Sequence, residues 1–193
     1  MARTARVERK TSEAKISINM NLDGIGLGKI ETGIGYLNHI LETLAKHSLF
    51  NLEVNAEGDL KHHVCEDVAL ALGKAMLEAL GNKKGIRRFG SAYVSMEDSL
   101  SRAVVDLGGR AYANIELGLS QAEIEDMKTE DVNHFLSSFA QASMSNLHLA
   151  VLYGENDHHK VESSVKALAL ALREAVALEP RASSETPSVK GIL

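Results

Sequence analysis

The feature that most constrains this chain is a short motif that occurs twice, HHVCED from His62 to Asp67 and HHKVES from His158 to Ser163. Each copy opens a long helical segment. Aligned on their histidines, the segments also match at Glu66/Glu162, Ala71/Ala167, Leu72/Leu168, Ala75/Ala171 and Glu78/Glu174, an offset of 96 residues. Upstream the match continues at an offset of 95, with LNHIL around His39 meeting VNHFL around His134 and Asn51-Leu52 meeting Asn146-Leu147. The chain is an internal duplication. Each half supplies one lone histidine, one histidine pair and one glutamate.

Positions three or four apart on a helix share a face, so Glu66 can join His63 or His62 on one ion. Adjacent histidines diverge by roughly 100°, which suits the pair to serving two different ions. Imidazole with one carboxylate fits Zn, Mn, Fe, Co or Ni and argues against Ca or Mg. Six of the eight histidines fall at repeat-related positions, an arrangement chance rarely produces, so the pattern reads as two related metal sites.

A chain of 193 residues suits one domain of two halves better than two independent ones. We expect a single domain with tandem repeats at about 1–97 and 98–179 and a tail at 180–193. The formal charge of −5 provides no polyanion-binding field, which argues against a nucleic-acid partner. Cys65 is the only cysteine, so no intramolecular disulfide can form; it reads as a packing residue in a reducing cytoplasm. The start, MARTARVERK, lacks the apolar run of a secretory signal, and no stretch has the roughly 18 unbroken apolar residues of a membrane span.

Alternation predicts strands at 16–22, 29–32, 51–56, 101–107, 111–117 and 147–152, with a further strand at 89–96. Helical spacing predicts helices at 36–47, from His62 to near Gly81, from Asp131, and from His158. Each half reads as ββαβα, an α/β (α+β) fold with helices packed between two sheets. The Ala/Leu-rich helices from His62 and His158 should be covered on both sides. His148 reads as a sheet-face residue, and His47 also lies outside the ligand pattern.

The order GIGYLNHI, HHVCED, GIRRFG, DLGGRAY, NDHHKVESSVKAL and PSVKG resembles the imidazoleglycerol-phosphate dehydratase family of histidine biosynthesis, from about Thr11 to Leu193. The resemblance implies a duplicated subunit, folded like the second domain of a small-subunit ribosomal protein, in a homo-oligomer of 24 copies with active sites at subunit contacts. It implies two Mn²⁺ per active site, one held by His39, His63, Glu66 and His159, the other by His62, His134, His158 and Glu162. Glu13, in TSEA, corresponds to the family's acid/base glutamate, beside the metal-holding Glu66 and Glu162. The substrate phosphate would meet Arg88, Arg110, Lys166, Ser188 and Lys190, and Asp98 would hold a substrate hydroxyl. The implied reaction removes water from D-erythro-imidazoleglycerol phosphate to give imidazole acetol phosphate.

Two departures stand out. Asn38 replaces the acid commonly found before the lone histidine, and GDLKHH is a shortened approach to the first pair. From the residues alone, a dinuclear hydrolase or a metal store would use the same ligands. A metal store leaves Glu13, Arg110 and the PSVKG tail without a task, and a hydrolase would release phosphate or amine without a dehydrated ketone product.

Overall fold

A computed structural model describes residues 3–193. The first half contains β1 (Thr4–Lys10), β2 (Ala14–Asn21), β3 (Gly28–Glu31), α1 (Gly35–Ser48), β4 (Asn51–Gly58) and α2 (Lys61–Leu80). The second contains β5 (Phe89–Met96), β6 (Ser99–Asp106), β7 (Tyr112–Glu116), a hairpin of β8 (Glu123–Ile124) and β9 (Met127–Lys128), α3 (Thr129–Ala142), β10 (Asn146–Tyr153) and α4 (Asp157–Val176).

The two main sheets have the same topology, β1-β2-β4-β3 and β5-β6-β10-β7. In each, the first two pairings are antiparallel and the last, β3 with β4 or β7 with β10, is parallel. Both halves therefore follow βββαβα: the further strand expected at 89–96 is β5, and β1 is the one main-sheet strand the sequence reading did not give. Strand β5 is the counterpart of β1, and the second sheet begins at Phe89, ahead of the boundary near residue 97. Strand β1 was hidden because it is an edge strand: only Val7 is fully buried among Arg6, Glu8, Arg9 and Lys10, so no apolar alternation marks it.

The helices form the interior between the sheets. Helix α2 lies on β1 and β2 and packs against α3, while α4 lies on β5 and β6 and packs against α1. This explains the small residues around α2 and α4: Ala69, Ala71, Ala75, Ala169, Ala171 and Ala175 are all buried between a sheet and a second helix. Gly73 lets α2 approach α3 closely, since a Cβ there would lie 2.6 Å from the Phe139 carbonyl oxygen of α3. Each helix bearing a histidine pair is thus pressed against the lone-histidine helix of the other half. Among the described residues, no helix is long and apolar enough to cross a membrane.

The N-terminus of α4 is fixed by three side chains. Asn156 caps it by accepting from the amides of His158 and His159. Asp98 accepts from the amides of Glu155 and Asn156 at 2.6 and 3.1 Å. Asp157, with no solvent exposure, accepts from the amides of Ser120 and Gln121 at 2.7 and 2.8 Å and pairs with Lys160 at 2.9 Å. The tail is docked as well: the amide of Gly85 donates to the Glu185 carbonyl, and Arg88 donates to the Pro187 carbonyl.

Burial alone would raise the Asp157 pKa, but Lys160 and the two amides outweigh it and hold the carboxyl at about 2, below its ordinary 3.8. A depressed carboxyl contributes stability that is complete above its unfolded value and lost as pH falls through its folded value. We expect Asp157→Asn to cost about 2 kcal/mol near neutrality, from a shift of roughly two units. In urea unfolding followed across pH, the two proteins should converge as pH drops from about 4 toward 2.

Candidate metal centre

Helices α1 and α4 bring His39, His158 and Glu162 together, with one donor atom of each inside a 4.8 Å group. Glu162 is one helical turn after His158, so both side chains share a face. Its Oε2 lies 3.1 Å from His39 Nε2 and 3.3 Å from His158 Nε2. Two donors at about 2.1 Å from one ion and at right angles to each other would be about 3.0 Å apart, so the three atoms fit neighbouring positions around a single cation. Burial works against the charge on Glu162, but hydrogen bonds from Lys166 and His39 outweigh it and hold the carboxyl at about 2. The group is an anionic ligand at any ordinary pH. It borders an open cleft of about 460 Å³ lined also by Tyr36, Glu125 and Asp126.

The duplication repeats this arrangement more loosely where α2 meets α3. His134 Nε2 is 3.6 Å from Glu66 Oε1, and the His62 and His134 rings meet edge-on with centroids 5.3 Å apart.

All four paired histidines have Nδ1 opposite a carboxylate. His62 donates to Asp131 at 2.5 Å, His63 to Asp59 at 2.7 Å, His158 to Glu125 at 3.2 Å, and His159 to Asp98. A proton held on Nδ1 leaves the Nε2 lone pair for an ion, which is how metal-binding imidazoles are usually oriented. The donor chemistry therefore fits a nitrogen-preferring divalent cation. Of these carboxylates, Asp59 was legible four residues before His63; Asp131 and Glu125 carried no motif.

The ligand sets carried over from the resemblance are implied at contacts between subunits, and a single chain groups their residues by its own helix contacts. Among the described residues, neither His39 with His63, Glu66 and His159, nor His62 with His134, His158 and Glu162, gathers within one chain. The reason is the helix pairing: α1 meets α4, so His39 lies with Glu162, and α2 meets α3, so His134 lies with Glu66. His63 and His159 turn away from both clusters, as adjacent positions on a helix must.

Glu13, exposed in the turn between β1 and β2, has its carboxylate 3.9 Å from His63 Nδ1. That turn is tied to α2 through Asp67, which accepts from Arg9 and Thr11. Asp98 accepts from two amides and Ser99 on one oxygen and from His159 on the other. Asn38 serves the turn before α1, accepting from Thr32 N–H and Oγ1–H.

The expected phosphate residues fall into two places. Arg88 pairs with Asp106 and holds Pro187, and the backbone at Leu193 lies against Gly109, so Arg88, Arg110, Ser188 and Lys190 belong to the region where the tail docks. Lys166 is elsewhere, 2.7 Å from Glu162. The amide of Arg88 donates to the Ala175 carbonyl, 13 residues along α4 from Glu162 and so about 20 Å from it. Cys65 is buried, and burial pushes its thiol up to about 12, consistent with packing. His148 lies on the outer face of β10 against Tyr112.

A sequence profile described as imidazoleglycerol-phosphate dehydratase matches residues 32–172. The imidazoleglycerol-phosphate dehydratase of Dehalococcoides mccartyi is 49% identical over 191 residues, covering 99% of this chain and 97% of the relative. That of Methanothermobacter thermautotrophicus is 47% identical over 188 residues, covering 96% and 95%. Crystal structures of the Staphylococcus aureus and Pyrococcus furiosus enzymes each superpose with a TM-score of 0.84 at 32% identity, covering 91% and 97% of this chain and 99% and 100% of theirs. With the duplicated sheets and histidine clusters, these matches show that the chain belongs to the imidazoleglycerol-phosphate dehydratase family, whose members are hydro-lyases of histidine biosynthesis.

Proposed function

We propose that this chain dehydrates D-erythro-imidazoleglycerol phosphate to imidazole acetol phosphate in the cytoplasm, using two Mn²⁺ per active site. The observation that carries this reading is the cluster of His39, His158 and Glu162, repeated in kind by His134, His62 and Glu66. The choice of manganese among nitrogen-preferring cations follows the family resemblance.

The substrate's proton to be removed has no carbonyl beside it, so it is not acidic. His39, His158 and Glu162, and His62, His134 and Glu66, would hold the ions, which would supply Lewis acidity toward the substrate's imidazole ring. Glu66 and Glu162 provide the anionic share of each donor set. Glu13, exposed beside His63, transfers the C2 proton as the C3 hydroxyl leaves, and the resulting enol tautomerises to the ketone. Arg110, Ser188 and Lys190 bind the phosphate and fix the ring's position.

The spacing of these groups along the fold supports a site shared between copies of the chain. The tail region is about 20 Å from Glu162 along α4, more than the three-carbon arm between ring and phosphate can bridge. His63 and His159 also face away from the clusters of their own chain. We therefore assign the active site to contacts between copies, in the 24-subunit homo-oligomer the family resemblance implies.

The direct test is conversion of imidazoleglycerol phosphate by chelator-stripped protein with and without Mn²⁺. Ketone formation that depends on manganese is expected; rebinding of the metal without product contradicts the reaction. Glu13→Gln should keep its Mn²⁺ while turnover falls by about 10²–10⁴-fold, the usual contribution of a positioned acid/base. Glu162→Gln should instead lose affinity for the ion by roughly 100-fold or more, read by metal titration, because a ligand contributes at least as much as the groups that orient it.

A further inference from the structure

The two clusters are related by the duplication, and one position breaks the relation. On α3, Asp131 precedes His134 by one turn and accepts the Nδ1 proton of His62. Aligning His39 on His134 places Tyr36 at the matching position of α1. A phenol cannot supply that carboxylate. Tyr36 instead packs its ring 5.2 Å from His158, is buried, and leaves its hydroxyl without a hydrogen-bond partner.

The carboxylate for His158 comes from outside the repeat. Glu125 is in the tight turn of the β8–β9 hairpin, which the first half lacks among the described residues, and it accepts from His158 Nδ1 at 3.2 Å. Its φ of 53° is left-handed, a conformation that costs a residue with a β-carbon about 1 kcal/mol. The next residue, Asp126, accepts from the amides of Gly35 and Tyr36 at 2.8 Å each, at the start of the helix that carries His39. Lys61, at the start of α2, donates to the Asp126 carbonyl at 2.6 Å. The hairpin tip is thus fastened to the His39 helix while it reaches His158.

We infer that Glu125 is a positioning residue that replaces the carboxylate missing at Tyr36, fixing the tautomer and rotation of His158 so that Nε2 faces Glu162 and the ion. The inference rests on the metal reading of the cluster. It gives a role to a glutamate at a backbone position that favours glycine: its side chain performs for the α1–α4 cluster what Asp131 performs for the α2–α3 cluster.

The test uses full-length, metal-stripped protein carrying Glu125→Gly or Glu125→Gln, titrated with Mn²⁺ and melted without metal. Glu125→Gly should weaken one class of Mn²⁺ site about 10–100-fold, the usual effect of losing an orienting partner. Its metal-free melting temperature should hold or rise, because glycine relaxes the left-handed turn. Glu125→Gln, which can still accept the Nδ1 proton without a charge, should fall between it and the parent. Restored affinity in Glu125→Gly combined with Tyr36→Asp would support the replacement directly. The inference is overturned if both single variants bind Mn²⁺ like the parent while Asp131→Asn weakens the other class, or if Glu125→Gly lowers only the melting temperature. A parent protein that takes up no Mn²⁺ would contradict the metal reading and remove the basis for Glu125 with it.

Discussion

Two neighbouring residues on a helix cannot point the same way, and the histidine pairs of this chain make that constraint the basis of the site. His158 turns toward the glutamate one turn later, and both His62 and His158 turn toward a lone histidine on the facing helix. His63 and His159 diverge by roughly 100° and leave their own chain's clusters. The Ala-rich surfaces of α2 and α4 make this geometry possible, because they let a second helix approach closely enough for His39 and His134 to reach across. The fold acts on the chemistry chiefly through which helix meets which.

The α1–α4 and α2–α3 contacts each join elements of different halves, so neither half could form a cluster alone. Both clusters are also held from behind by carboxylates on Nδ1, but the supports have different origins. Asp131 belongs to the repeat itself, whereas Glu125 arrives on an added hairpin. The duplication supplies matching ligands, and the two halves hold them differently.

Much of the fold was legible because amphipathic periods are local. The helices and nearly all main-sheet strands emerge from alternation and helical spacing, and the repeat emerges from residue identities. Strand β1 escaped because its edge position requires only Val7 to be apolar, and the two-residue strands of the β8–β9 hairpin are too short to show a period. The metal-ligating residue types were also legible, whereas their grouping was not. Whether Glu66 lies with His39 or His134 depends on long-range helix packing, which no spacing along the chain encodes. Asp98 illustrates the same limit: the resemblance marks it as a substrate-hydroxyl candidate, but only the structure reveals that it holds the segment leading into α4 and His159.

The central claim is that the metal cluster of one copy works with the phosphate-binding tail of another. The most direct measurement is activity in mixed oligomers reassembled from two inactive chains, one carrying Glu162→Gln and the other Ser188→Ala with Lys190→Ala. A site shared between copies predicts activity in the mixture well above either parent, since some sites combine an intact cluster with an intact tail. Mixed oligomers no more active than their parents would contradict it and place the whole site within a single chain.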